Sequence, residues 1–162
     1  MALVARKVLA DCETAHQLLK EERMSSATWR LHWVACLALL RAVGHVLDKV
    51  DGEADAKQSA AINAKWEEWK ADVQGNSIFW NFIDAERDNV LKEYKFGVEP
   101  EPTYLALEGG GRLLTEEGMP LRLEEDYFRL SRVGFENREG RDVLDEAIKW
   151  WRKQLDAIEA QL

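Results

Sequence analysis

The C-terminal segment 141–162 carries large apolar residues at alternating steps of four and three, a spacing that defines one face of an α-helix. The residues of this face are Leu144, Ile148, Trp151, Leu155, Ile158 and Leu162. A face that repeats in this way over three heptads is typical of the seam of an antiparallel bundle or a coiled coil. The segment therefore predicts a long helix that buries this face against other helices.

Four earlier segments show the same helical periodicity of apolar residues. We predict helices over residues 2–23, from the capping residues 25–28 to about 50, around 62–73, and over about 78–95. The second of these carries two apolar stripes, so we expect it to be contacted on two sides and to lie centrally. The predicted fold class is all-α: an up-and-down bundle of about five helices, in one domain over residues 1–162.

Residues 97–140 differ in composition from the helical segments. They contain all three prolines of the chain and the run Gly109–Gly111. Because proline and glycine interrupt helices, we predict an irregular or small β-hairpin arm before the last helix, with extended segments near 103–107 and 121–123. The glycine run precedes Arg112 but lacks a Walker pattern and a strand-to-helix context, which favours a turn over a phosphate-binding loop.

The chain has a net charge of −8 at pH 7. An acidic protein repels phosphates overall, so RNA binding is disfavoured without a local basic patch, and a protein partner is favoured. The longest charge-free stretch of the N-terminal half, 31–40, is shorter than the roughly 20 residues that span a bilayer. Arg6, Lys7 and Asp11 interrupt the apolar N-terminus, so no signal-peptide core forms. We expect a cytoplasmic protein that does not bind membranes.

The residue types that hold metals or cofactors form no recognisable cluster in the sequence, so we predict neither a metal site nor a cofactor. Cys12 and Cys36 fall on apolar helix faces, where a reduced cysteine behaves as a small hydrophobe. The seven tryptophans are a high number, and Trp66 and Trp69 share a helix face. The tryptophans either fill a wide core, or one of them (Trp80 or Trp150) lies in a homodimer or partner interface.

A polar line on the second predicted helix joins Arg41, His45 and Asp48 at steps of four and three. On one helix face Asp48 could orient His45, whose side chain titrates close to neutral pH and often transfers protons. A solvated or salt-bridged helix face has the same pattern. Both interpretations stay open, and His45 is a candidate catalytic residue only under the first.

The segment 87–94 of the fourth predicted helix reads Arg-Asp-Asn-Val-Leu-Lys-Glu-Tyr. It resembles the signature of HEPN domains, small all-α bundles that often dimerise and cleave RNA without a metal. Arg87 matches the arginine of the signature, Asp88 its polar position and Tyr94 its tyrosine, while Lys92 stands where the family has a histidine. The resemblance implies that Arg87 holds a phosphate, Lys92 assists electrostatically and Tyr94 positions the substrate or the facing helix.

The lysine changes the chemistry that the resemblance implies. In the family, the arginine stabilises the charged phosphorane and the histidine exchanges protons, which a pKa near 6.5 permits. A lysine ordinarily titrates near 10.4 and would need its pKa lowered by about 3 to act as a base. Asp88 and Lys92 also have the spacing of an ordinary i,i+4 ion pair. The signature therefore implies lost or altered cleavage, with His45 as a conceivable substitute proton donor.

The sequence supports two functional hypotheses. The first is a HEPN-like, homodimeric protein with lost or altered RNA-cleaving activity and a binding role in a toxin–antitoxin or phage-defence context. The second is an acidic, non-enzymatic helical protein that binds and regulates a protein partner. Tyr94 falls on one apolar stripe with Phe79, Ile83 and Val90, and Arg87 lies on the same line. The first hypothesis needs Arg87 and Tyr94 at a shared, solvent-reachable cleft, whereas the second lets them be packed scaffold residues.

Overall fold

The structure is a computed structural model that describes residues 3–21 and 24–162, without the side chains of residues 124 and 125. Within these residues the chain forms five α-helices and two β-strands. The helices are α1 (Ala5–Leu19), α2 (Ser26–Val46), α3 (Ala56–Ala71), α4 (Ala85–Glu93) and α5 (Gly140–Glu159), and the strands are β1 (Val98–Tyr104) and β2 (Arg122–Leu130). The chain is thus mostly helical, as predicted, with a small antiparallel sheet.

Two π-helical segments accompany these helices. The segment Leu47–Asp51 continues α2, and the segment Ile78–Asp84 leads directly into α4. The predicted helix over 78–95 is therefore partly π-helical, and the predicted helix over 2–23 is shorter, with part of its predicted ends outside the described residues. π-Helix is rare in globular proteins and often occurs at functional sites. The region around these two segments is therefore a candidate for a functional site.

Helix α2 lies at the centre of the helical part, as its two apolar stripes predict. It contacts α1, α4, α5 and both π-helical segments. The side chains of Trp33, Cys36, Leu37, Leu40 and Val43 are fully buried. Since burial of such side chains is the main favourable term in folding, these contacts hold the helical part together.

The predicted seam of α5 is confirmed. The side chains of Leu144, Ile148, Trp151, Leu155 and Ile158 are buried, and Leu162 is partly buried against them. The cysteines also lie in the core, as free thiols, with Sγ of Cys12 located 3.6 Å from the carbonyl oxygen of Cys36. Both cysteines therefore pack as small apolar residues.

The helix Ser26–Asp51, formed by α2 and its π-helical continuation, is long and apolar enough to cross a membrane by length and composition alone. The mean hydropathy of this helix is 1.3. The charge-free run 31–40 is much shorter than the helix, so this run alone did not predict a span of that length. The core helix of a globular protein passes the same test, and the fully buried face of α2 is such a core. Only 33% of the most apolar window is buried, so the outer face of α2 keeps part-exposed apolar residues.

Residues 97–140 contain an antiparallel pair of strands at the base of the arm, for which the prediction left an irregular arm and a small hairpin open. β1 pairs with β2 from Val98 opposite Leu130 to Tyr104 opposite Arg122. The strands are longer than the predicted segments 103–107 and 121–123, because prolines are tolerated on a strand with a free edge. Beyond the strands, the arm tip (residues 105–121) makes two tight turns that are closed by backbone hydrogen bonds.

Aromatic stacking fixes the base of the arm to the helices. The ring of Phe128 on β2 stacks on Trp29 of α2, with centroids 4.0 Å apart and planes inclined by 1°. The guanidinium of Arg141, at the start of α5, lies 5.1 Å from the centroid of the same ring. Leu130 and Val98 are buried beside this stack. The arm therefore projects from a rigid base.

Asp51 caps α1 from a distant point in the sequence. Its carboxylate accepts hydrogen bonds from the backbone N–H groups of Val4 (2.8 Å) and Ala5 (2.9 Å), and its carbonyl oxygen accepts one from Nε2 of Gln58 (2.8 Å). Asp51 is 3% exposed. The first N–H groups of a helix lack partners within it, and a negative charge is favourable there. The carboxylate thus joins the start of α1 to the end of the α2 unit.

We expect Asp51→Ala to lower the free energy of unfolding by about 2 kcal/mol, because two hydrogen bonds to a buried carboxylate are lost. Urea denaturation followed by circular dichroism measures this change. The matched control is Asp48→Ala, since the Asp48 side chain is 59% exposed and pairs with Lys49. The control should change stability by less than about 0.5 kcal/mol, and equal losses in the two variants would contradict the capping role.

Candidate functional site

The predicted signature lies on α4, where Arg87 and Asp88 are adjacent and Lys92 follows Asp88 by one turn. Nη1 of Arg87 donates to one oxygen of the Asp88 carboxylate, and Nζ of Lys92 donates to the other. The side chain of Arg87 is 19% exposed and that of Lys92 is 64% exposed. The hydrogen bond from Lys92, more than the charge of Arg87, lowers the pKa of Asp88. Asp88 therefore compensates both cations that the signature would offer to a phosphate.

Tyr94 does not continue the apolar stripe of its helix. Phe79, Ile83 and Val90 are buried as predicted, whereas Tyr94 is 70% exposed. The residue ends α4 in the left-handed region, with φ at 52°, which is an uncommon conformation for a bulky side chain. This backbone conformation turns the ring away from the stripe, and its edge contacts Phe96 at a centroid distance of 5.2 Å.

The polar line on α2 does not form a hydrogen-bonded series. Nε of Arg41 donates to Oδ1 of Asp84 at 2.9 Å, and Nζ of Lys49 lies 2.8 Å from Oδ2 of Asp48. In the part of the chain that the structure describes, no side chain forms a hydrogen bond with His45. Arg41 and Asp48 are therefore paired with other residues, and Asp48 does not orient the imidazole.

His45 nevertheless lies close to charged side chains of both signs. Partial burial and then the charges of Arg41 and Arg87 lower its pKa, and the carboxylates of Asp48 and Asp84 oppose this effect. Both arginines are thus close enough to His45 to act on its charge. We call Arg41, His45 and Arg87 the basic rim, because α2 and α4 bring them to one side of the molecule.

An aromatic pocket of about 330 Å³ opens beside this rim, between α2, α3, α5 and the two π-helical segments. Its wall consists of Trp66, Trp69, Phe79 and Trp151, and its mouth carries Arg41, His45, Asp48, Lys49 and Asn63. Pockets of this size with apolar walls and a few polar groups are typical ligand sites. The sequence signal for it is limited to the shared helix face of Trp66 and Trp69.

Trp80 and Trp150, the two candidates for an interface, belong to the aromatic cluster around this pocket. Nε1 of Trp150 donates to Oδ1 of Asn76 at 3.1 Å, and Nε1 of Trp80 donates to the carbonyl oxygen of Trp69 at 3.2 Å. Both rings are partly buried against the core. These contacts favour the interpretation that the tryptophans fill a wide core.

Glu86 is a buried carboxylate that the sequence pattern did not single out. It is fully buried, Oε1 accepts a hydrogen bond from the N–H of Gly97 at 2.8 Å, and Oε2 lies 3.5 Å from Nε of Arg132. A Cβ at position 97 would lie only 2.5 Å from Oε2. Burial raises the pKa of Glu86, although the N–H of Gly97 and the charge of Arg132 oppose this. The contact joins α4 to the base of the arm.

The raised pKa of Glu86 sets the sign of a pH effect. Relative to its ordinary pKa of 4.5, the folded state keeps this proton to a higher pH than the unfolded chain. The stability of the wild type should therefore fall, relative to Glu86→Gln, as the pH rises from 4.5 through the folded pKa. The slope should not exceed about 1.4 kcal/mol per pH unit. Urea denaturation of both proteins across this range measures it.

Glu67→Gln serves as the control for that measurement, because the Glu67 side chain is 70% exposed and pairs with Lys70. Its stability should follow the wild type at every pH. A wild type that gains stability relative to Glu86→Gln as the pH rises would show that Glu86 is charged in the folded state across the range.

Comparison with protein-family models, with curated proteins and with solved structures found no match for this chain. Within residues 3–21 and 24–162, no group of three or more His, Cys, Asp or Glu side chains is placed to hold a metal ion. The candidate site in the described residues therefore consists of the basic rim and the aromatic pocket beside it. Lys92 and Tyr94 lie further along α4.

Proposed function

We propose that the chain is a HEPN-like, homodimeric protein with lost or altered RNA-cleaving activity, which acts by binding in a toxin–antitoxin or phage-defence context in the cytoplasm. The proposal includes an up-and-down order of the helices, with the β-arm before the last one. Support comes from the mostly helical fold and from the signature residues on α4. The observation that carries the loss of cleavage is the sharing of Asp88 by Arg87 and Lys92.

The change from histidine to lysine in the signature affects phosphate binding and catalysis differently. A partly exposed ion pair is worth about 1 kcal/mol or less, so an RNA phosphate can compete for the guanidinium of Arg87. The histidine that exchanges protons in the signature is absent, because Lys92 stands in its place. Phosphate binding through Arg87 therefore survives the change of histidine to lysine, whereas general acid–base catalysis does not.

His45 is the remaining candidate for proton transfer. Its lowered pKa favours the neutral imidazole near pH 7, which is the form that accepts a proton. An efficient base is also held in place by a second hydrogen bond, and the described residues supply none to His45. An imidazole without this support fits altered or weak cleavage rather than a full active site.

Incubation of the purified protein with single-stranded RNA and transfer RNA, without added metal, tests the proposal. We expect no cleavage by the wild type. We expect RNA binding at low salt, measured by fluorescence anisotropy, to weaken about tenfold in Arg87→Ala, because a charge-assisted phosphate contact is lost. Arg152→Ala is the control, since Arg152 is a half-exposed arginine on α5 that pairs with Glu13.

Two results would contradict the proposal. Cleavage by the wild type that disappears in Arg87→Ala would mean that the activity is retained, and His45→Ala and Lys92→Ala would then identify the proton-transfer group. RNA affinity that is the same in the wild type, in Arg87→Ala and in Arg152→Ala would mean that α4 carries no phosphate site.

A second candidate function is that of an acidic, non-enzymatic protein that binds and regulates a protein partner. The observation that favours it is the exposure of six large apolar side chains on the arm. They are between 37% and 61% exposed, and they are Leu105, Leu107, Leu113, Leu114, Met119 and Leu123. Exposed apolar surface on one part of a protein is a candidate interaction site. The same surface is our candidate for the homodimer contact.

We expect the double variant Leu107→Ser, Leu114→Ser to raise the dimer dissociation constant at least about tenfold, because each change removes apolar area from the contact. Size-exclusion chromatography with light scattering over a range of concentrations measures it. The matched control is Val73→Ser, Val133→Ser, since these side chains are 50% and 77% exposed but lie outside the arm tip. A wild type that stays monomeric throughout would contradict the homodimer.

A further inference from the structure

We propose that the aromatic pocket binds a nucleobase joined to a phosphate, with the base against Trp66 and the phosphate at Arg41. The ligand is either a free mononucleotide or one unit of single-stranded RNA. The inference rests on the proposed RNA-binding function and deepens it, because it assigns the base and the phosphate to different parts of the site.

The aromatic rings are arranged to receive a flat ring. Trp66 is inclined by 84° to Trp69 and by 86° to Phe79, and Trp151 is inclined by 87° to each of the same two rings. Trp69, Phe79 and Trp151 are 3% exposed or less, whereas Trp66 is only partly buried, so a planar ligand would stack on Trp66. Offset stacking and edge-to-face contact are the two favourable arrangements of aromatic rings.

Gly44 allows the two halves of the site to adjoin. A Cβ at this position would lie 3.2 Å from Cη2 of Trp151 and 3.3 Å from Nη1 of Arg41, closer than such contacts normally are. The bare backbone of Gly44 thus lets an aromatic ring and a guanidinium line the same pocket. A base and its phosphate need this combination of an apolar wall with a cation beside it.

The charge at the mouth favours an anion over an organic cation. Only Nε of Arg41 is engaged, by Asp84, in the described contacts, which leaves its terminal nitrogens for a ligand. The other two cations nearby are paired with carboxylates, Arg87 with Asp88 and Lys70 with Glu67, so Arg41 is the cation that a phosphate would contact. An aromatic cage for a quaternary ammonium group needs the opposite sign. The pocket therefore suits a ring that carries a negative charge.

The backbone around the pocket provides an independent observation. Leu47, Asp48 and Lys49 come from one π-helical segment and Phe79 from the other. π-Helical turns are rare and frequently occur at functional sites. Both such segments of the described chain contribute to this one pocket, which a purely structural crevice would not require.

Isothermal titration calorimetry with AMP, GMP, CMP and UMP tests the proposal, with adenosine and ribose 5-phosphate as partial ligands and an RNA hexamer as the polymeric form. We expect at least one mononucleotide to bind more tightly than either partial ligand. Trp66→Ala should weaken binding of that mononucleotide and of adenosine roughly 5- to 150-fold, because base stacking is lost. Arg41→Gln should weaken binding of the mononucleotide and leave adenosine unchanged.

Tyr104→Ala is the control, since Tyr104 is an aromatic residue of the arm that does not line this pocket, and its affinity should equal that of the wild type. Circular dichroism checks that Trp66→Ala remains folded, which we expect because Trp66 is only partly buried. Binding of the hexamer but of no mononucleotide would assign the site to RNA, and the reverse would assign it to free nucleotides.

Three results would overturn the inference. They are the absence of binding by any mononucleotide and by the hexamer, an affinity that Trp66→Ala does not change, and tighter binding of choline than of every mononucleotide. The test also separates this inference from the proposed function. Nucleotide binding that is lost in Trp66→Ala, together with RNA binding that Arg87→Ala does not change, supports the pocket and contradicts the phosphate site on α4. The opposite pattern contradicts the pocket alone.

Discussion

The burial of α2 on two sides is the constraint on which the rest of the structure depends. Trp33, Leu37 and Leu40 have no exposed surface, and full burial of such side chains contributes about 1.5–3 kcal/mol each. No single neighbour covers a helix that is apolar on two stripes, so α1 and α5 both pack against it. Helix α4 and the second π-helical segment cover α2 further. The pocket lies where this cover meets the end of α2.

The π-helical continuation of α2 places some of its residues in the core and others at the pocket. Leu47 is buried in the core and Asp51 must reach the N-terminus of α1, while Asp48 and Lys49 remain at the mouth of the pocket. The wider i→i+5 turn distributes side chains differently from an α-helix, in which residues three and four apart share a face. The position of α1 and the opening of the pocket are therefore linked through one segment of five residues.

Apolar periodicity was sufficient to predict the helices, because each helix must bury one continuous face. The α5 stripe from Leu144 to Ile158 is buried as the spacing requires. Periodicity failed where the backbone leaves the α-helix: the left-handed conformation of Tyr94 removes the ring from the predicted stripe, and a π-helical segment replaces the first half of the predicted fourth helix. The strands were underestimated because Pro100 and Pro102 resemble loop residues unless the strand is known to have a free edge.

The site was harder to predict than the fold, for a physical reason. Spacing along one helix identifies neighbours such as Asp88 and Lys92, but the contacts that define the site join distant segments. Arg41 pairs with Asp84, and Glu86 receives the N–H of Gly97 and faces Arg132, and none of these pairs has a spacing that a helix or strand imposes. These pairs depend on the tertiary packing of distant segments, which the spacing of residues along the chain does not give.

The local arrangement of charge also qualifies what the net charge of −8 implies. Charges further than about 10 Å from a site are largely screened at physiological salt, so the sum over the whole chain mainly influences long-range encounter. At the rim itself, burial and then the charges of Arg41 and Arg87 lower the pKa of His45, and Asp48 and Asp84 oppose this. An acidic protein with such a rim would bind one or two phosphates at a defined place while it repels nucleic acid elsewhere. That distribution favours recognition of a single nucleotide unit over the extended phosphate contacts of general RNA-binding proteins.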